Sequence, residues 1–366
     1  MRRHYLDNLR WATVLLVLGY HVCYLFNGVG IPGGIPGAPN LIVGDYLAAA
    51  VYPWFMALLF LVAGMSSRFA LERRTAKAFL KERAVKLLIP STLGLFVLHW
   101  ITGYLNIKLG GGLEYIPGFL LYPISAVSGT GPLWFAQMLF LFSCVLVLLK
   151  KADRGDRQWE SCGRLPVWGV VAVTFPVLWG GAQVGNLPVL TMYRFGIYFG
   201  AFLLGYYLYS HDAVIDVLAT RWPLMAVWFV MLGGRYLFRY GGGDYAAPAC
   251  LQSFITNAYA WVAILFLLGL FRRFFDRTNS FCAYMNRASF GLYVLHYPVF
   301  LWTGYLLTAY CGLNVVANYL ILLVCGTALT FAVYEVIRRI PVIRFLVLGL
   351  RRAAVKTGDV DVKSAK

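Results

Sequence analysis

Apolar runs long enough to cross a lipid bilayer recur along almost the whole of this chain. A spanning helix needs about 20 mostly apolar residues. Segments of that kind are predicted near residues 9–27, 46–65, 87–107, 133–149, 167–184, 193–209, 223–239, 251–271, 289–309 and 315–337. Hydrocarbon offers no water to backbone N–H and C=O groups, so such segments must satisfy them internally, as helices. The expected fold is therefore an all-α integral membrane protein, a bundle of ten transmembrane helices. Composition agrees: 60% of the residues are hydrophobic, against about 45–50% in soluble domains.

The formal net charge of +17 would suggest nucleic acid in a soluble protein, but here the cations sit in short connections between apolar runs. With a cytoplasmic N-terminus, the inside segments hold Arg2, Arg3 and Arg10, then the run from Arg68 to Lys86, then Lys150 to Arg164, Arg221, Arg272 to Arg287, and the tail from Arg338. The outside segments keep Lys108, Arg194, Arg235 and Arg239. This alternation follows the positive-inside rule and predicts an N-in, C-in protein of the cell (cytoplasmic or inner) membrane. It leaves no basic face for nucleic acid. The seven cysteines are scattered without a CxxC pair, so neither a disulfide framework nor a metal site is indicated. The first run lacks a signal-peptide cleavage site and is expected to stay as a helix. One transmembrane domain is expected over 1–352 and a disordered cytoplasmic tail over 353–366.

Two outer connections, 28–44 and 110–131, are rich in Gly and Pro and poor in charge. They read as loops, either lining an external entrance or serving as connectors. The run from Arg68 to Lys86 reads as a basic helix that lies on the anionic leaflet or faces a bound anion.

Candidate chemistry begins in the first run. Arg10 stands at its start and His21 deep inside it, eleven positions on. At about 100° per residue both leave the same face, separated by roughly 16 Å along the axis. A cation at the rim and an imidazole in mid-membrane suit a long ligand with an anionic head. Asp7, one turn before Arg10, is placed to pair with it. An ionisable residue inside a span is a functional candidate because burying it unpaired is costly. His296 meets the same criterion, with Tyr293 three residues earlier on a similar face and Arg287 on the opposite one. His99, with no motif around it, reads as structural. Gln137, inside the fourth span, needs a polar partner. Trp134 and Phe135 open that span as interfacial aromatics. Glu335, near the inner end of the last span, is expected to pair with a nearby arginine. No nucleophile elbow, P-loop or zinc motif is present.

The motifs YLDNLR with the Arg10–His21 spacing, FLVAGMSSRF, KAFLKERAVKLLIP, GPLWF, SFGLYVLHYPV and YEVIRRIPVIRFL occur in that order. Together they resemble the membrane acyltransferase family 3, near its glucan succinyltransferase branch. The resemblance covers most of the chain. It implies a ten-helix core that transfers acetyl, succinyl or another short acyl group from cytoplasmic acyl-CoA to an extracytoplasmic carbohydrate or envelope glycan. It implies His21 as the catalytic residue, acting as general base; Gln137, Tyr293 and His296 are the further catalytic candidates read from the residues themselves. Arg10 and Arg68, with Asp7, Arg83, Lys86 and Trp134, fall on the acyl-CoA side. Acyl-CoA is then a substrate, and no permanently bound cofactor is implied. Several family members carry an acid near position 137. The glutamine here leaves two candidates for orienting His21: Gln137 itself, or Asp45. A multi-pass transporter of a sugar or anionic solute is the competing class, and an inactive ligand sensor is a third. Against transport, the spans hold almost no buried carboxylates to couple ions.

Overall fold

In the computed structural model, residues 3–153, 155–187 and 192–351 are described. The expected tail over 353–366 lies outside them. The described chain is helical, with no strand: α1 (His4–Leu25), α2 (Ile42–Val51), α3 (Phe55–Leu71), α4 (Ala76–Arg83), α5 (Ile89–Gly94), α6 (Trp100–Leu109), α7 (Gly118–Ser128), α8 (Trp134–Ala152), α9 (Arg157–Gly163) and α10 (Val167–Gln183). There follow α11 (Phe195–Tyr207), α12 (Asp212–Tyr240), α13 (Pro248–Leu251), α14 (Phe254–Phe274), α15 (Ser280–Leu306), α16 (Val315–Ile321), α17 (Thr327–Ile337) and α18 (Pro341–Leu348). π-turns at Ala84–Leu88 and Leu95–His99 join α4, α5 and α6 into one rod, and another at Leu322–Gly326 joins α16 to α17.

Each predicted apolar segment falls on a helix, but fewer than ten of the described helices are by length and composition alone long and apolar enough to cross a membrane. Among the described residues, seven helices are long and apolar enough, or eight if the bent pair α9–α10 counts as one span. The difference has physical causes. Asn8, Arg10 and His21 dilute the hydrophobicity of α1; α10 is 17 residues long and bends by 116° from α9; α11 has only 13 residues. A further departure is α7, where a loop was expected. Its sequence GFLLYPISAVS is apolar enough to pack as a helix beside α6, with Gly103 and Gly129 at the crossing, where a Cβ on either would overlap the facing backbone.

What positions the site is the pairing of α1 with α15. Asn8 is 3% exposed and donates to the carbonyls of Phe275 and Arg277, 2.7 Å each, in the connection that feeds α15. The Tyr5 backbone N–H donates to Asp276 at 3.0 Å. These bonds fix the register of the two helices at their basic end. The buried stripe Leu9, Val14, Val17, Leu18 and Leu25 of α1 continues the contact along the bundle. On the other side α3 crosses α11 closely enough that a Cβ on Gly64 or Gly205 would overlap a carbonyl of the facing helix.

Candidate active site

A cavity of about 950 Å³ opens at the basic end of the bundle. Each helix around it supplies a stripe at helical spacing: Arg10 and Val14 from α1; Leu59, Val62, Ala63, Ser66 and Ala70 from α3; Phe79, Glu82, Arg83, Lys86 and Leu87 from α4 and the following π-turn; Phe135 and Leu139 from α8; Arg287, Phe290 and Tyr293 from α15. The last two helices and the residues after each add Tyr334, Arg338, Arg344, Leu348, Leu350 and Arg351. Small side chains on α3 leave the room. The cationic lining residues are Arg10, Arg74, Arg83, Lys86, Arg287, Arg338, Arg344 and Arg351, and Glu82 is the one carboxylate among the lining residues. Some of this charge is already neutralised: Arg10 pairs with Asp7 at 3.0 Å, Lys86 and Arg74 both meet Glu82, and Arg338 meets Glu335 at 2.6 Å. Arg83 donates to the Ser67 hydroxyl at 3.0 Å. The interior beyond the cations is apolar and aromatic and ends at Phe135 and Tyr293.

Past Tyr293 lie two histidines that touch. His296 is fully buried, and its Nδ1 is 2.7 Å from the Tyr293 carbonyl. His21 Nδ1 is 2.8 Å from the Val17 carbonyl and 3.2 Å from His296 Nε2. A carbonyl oxygen only accepts, so Nδ1 of each neutral ring carries the proton. The lone pair on His296 Nε2 then accepts from His21, whose Nδ1–H is shared between His296 and Val17. This leaves the lone pair on His21 Nε2 unengaged, the state a general base requires. His21 is partly exposed, and Tyr20, Tyr24 and Tyr297 surround it with ring centroids 5.1, 5.7 and 5.3 Å away. Neither histidine lines the cavity; Tyr293 both lines it and contacts His296, and its hydroxyl donates to the Pro132 carbonyl.

Of the residues singled out in the sequence, Arg10, Arg83, Lys86 and Tyr293 line the cavity, and Asp7 touches it through Arg10. Gln137 does not reach His21: it donates to the Ser91 carbonyl at 2.9 Å and accepts from Tyr193 at 3.1 Å. Phe135 and Leu139 face the cavity, and position 137, about 200° from 135, points away. Asp45 is also engaged elsewhere, by the Gly28 N–H at 3.1 Å and Asn40 at 2.7 Å, so the group beside His21 is His296. Trp134 packs on Tyr198 at 5.5 Å, outside the cavity lining. Arg68 is 5% exposed, sandwiched on Trp159 and paired with Asp156 at 2.9 Å and Glu72 at 3.1 Å. It lies two positions after Ser66, which does line the cavity, so it emerges on the far side of α3. Burial opposes the charge on Asp156, yet Lys150 and Arg68 hold its carboxyl below the usual range. Arg74 comes from the basic run expected to meet the leaflet or an anion, and Arg287, Arg344 and Arg351 join the site without having been expected there. Their convergence needs contacts between helices far apart in sequence. Glu335 pairs with Arg338, as its spacing suggests, and accepts from Tyr284 at 2.9 Å.

Residues 3–335 match a family model described as an acyltransferase domain. Proteins named glucans biosynthesis protein C, from Escherichia coli O139:H28 (strain E24377A / ETEC) and from Escherichia coli O81 (strain ED1a), are each 22% identical to the chain, over 95% of it and 94% of their own length. No solved structure matches.

Proposed function

The chain belongs to the acyltransferase domain family matched over residues 3–335, and on that premise we propose that this membrane acyltransferase moves a short acyl group, acetyl or succinyl, from cytoplasmic acyl-CoA to a hydroxyl of an extracytoplasmic carbohydrate or envelope glycan. The observation that carries the reading is the cavity: basic at its mouth, apolar in its depth, and ending at Tyr293, which contacts His296 of the histidine pair. A CoA thioester has that polarity, with phosphates at one end and a long neutral arm leading to the thioester.

The acceptor approaches His21 from the tyrosine-lined side. His21 Nε2 takes the hydroxyl proton as the oxygen attacks the thioester carbonyl. The C–O bond forms, the C–S bond breaks, and the imidazolium returns its proton to the departing thiolate. His296 acts as a positioning residue by accepting the His21 Nδ1 proton. The glycan acceptor draws support from the name of the relatives, which refers to glucans. No observation favours the transporter reading.

The test is transfer of labelled acetyl or succinyl from CoA to an envelope glycan fraction by membranes carrying the full chain. His21→Ala is expected to lower transfer by about 10²- to 10⁴-fold, and His4→Ala to leave it intact. Equal transfer by wild type and His21→Ala would rule out the mechanism. Solute flux without acyl transfer would rule out the class.

A further inference from the structure

The matched region ends at residue 335, but the cavity wall does not. Arg344, Leu348, Leu350 and Arg351 line it from α18 and the residue stretch that follows. We infer that this segment is part of the donor site, and that Arg344 and Arg351 grip the phosphate-bearing end of a nucleotide thioester. The inference rests on the acyl-CoA reading above and adds residues to it.

The segment is built in, not appended. Val347 and Leu348 of α18 are buried, and the helix packs against α5 and α15. Gly349 ends it with φ +64°, where a Cβ would overlap the Val85 carbonyl, and a Cβ on Gly94 would come within 2.9 Å of the Leu346 carbonyl. Backbone meets backbone at both points, so α18 is docked onto the rod that carries Arg83 and Lys86. The arginines it presents differ from Arg338, whose charge Glu335 already meets. Among the described residues neither Arg344 nor Arg351 has a carboxylate partner. The Arg344 Nε is buried without any hydrogen-bond acceptor. A guanidinium N–H held away from water with nothing to donate to is costly. An anion in the cavity supplies the missing acceptor, and a phosphate suits a guanidinium in both charge and geometry. A donor with several phosphates matches this grouping better than a single carboxylate does.

The experiment uses the full chain in detergent and two donors: acetyl-CoA, and the phosphate-free thioester S-acetyl-N-acetylcysteamine. Calorimetry with CoA is expected to show about tenfold or weaker binding for the Arg344→Gln/Arg351→Gln variant, since a charge-assisted bond is worth about 1.5–3 kcal/mol and each 1.4 kcal/mol is tenfold. Arg344→Lys, which keeps the charge, should recover part of the loss. Transfer from acetyl-N-acetylcysteamine should match the wild type, because that donor has nothing for these arginines to hold. Unchanged CoA affinity in the double variant overturns the inference alone. Equal loss with both donors does so as well, since it signals a disturbed fold. A wild type that neither binds CoA nor transfers from either donor overturns the acyl-CoA reading and this inference with it.

Discussion

At the scale of single residues, the arrangement turns on which atoms carry protons. The His21–His296 contact at 3.2 Å calls for a neutral His296 with its proton on Nδ1 and for a proton on His21 Nδ1, because both Nδ1 atoms face carbonyls. His296→Ala removes the acceptor that steers the His21 ring without removing the proposed base. It is expected to lower kcat by about 10- to 100-fold, as misplacement of a reacting group does, while CoA affinity stays near the wild-type value. A parallel fall in affinity would mean that His296 merely supports the cavity. Arg68 and Asp156 make a separate case, of stability. The Asp156 carboxyl is held below its ordinary range, so its contribution is complete above that range and fades as pH falls through the depressed native value. Asp156→Asn should cost about 1 kcal/mol at neutral pH by removing one of the two carboxylates that face the buried Arg68 guanidinium, Glu72 remaining. The gap to the wild type should close under strong acid, read as thermal unfolding in detergent across pH. That the Arg68 cluster and the cavity are distinct could be read in part from the sequence. Residues 66 and 68 lie about 200° apart on a helix, but which of the two faces the cavity depends on the packing partner of α3.

At the scale of elements, α18 depends on how it ends. Gly312 and Gly349 have similar positive φ, 57° and 64°, but a Cβ on Gly312 meets open space while one on Gly349 meets the Val85 carbonyl. Gly312→Ala should therefore cost only the left-handed backbone penalty, about 1–2 kcal/mol. Gly349→Ala should cost more, loosen α18 and weaken CoA binding. Thermal unfolding and limited proteolysis separate the two; equal effects would mean that α18 is not seated as described. The helices themselves were legible because apolar runs must satisfy their backbones internally, and the 100° step gave Arg10 and His21 a common face. The π-turns, the α7 helix and the seating of α18 were not, since each is decided by contacts between elements. Gln137 shows the limit well: a polar residue in a span demands a partner, but the sequence does not say that the partners are Ser91 and Tyr193.

At the scale of the whole molecule, the polarity of the cavity and the asymmetry of charge make one prediction together. If the basic connections are cytoplasmic, then the cavity that Arg10, Arg83 and Arg287 line must open to the cytoplasm, and the tyrosine-lined side of His21 must face outward. Ser66 lines the cavity from α3, whereas Ala38 sits in the connection between α1 and α2 at the other end of α1. With the exposed Cys311 and Cys325 replaced, a cysteine at position 66 should react with a membrane-impermeant thiol reagent only in inverted vesicles, and CoA should protect it. A cysteine at position 38 should react only in right-side-out vesicles and be indifferent to CoA. Labelling of position 66 from outside would reverse the orientation and place the basic mouth where no acyl-CoA is made. Reaction from inside without protection by CoA would leave the topology standing and remove the donor from the cavity. The two failures differ because orientation is set by charges spread over many connections, whereas the proposed donor binding depends on side chains that seven helices and their connections bring to one wall.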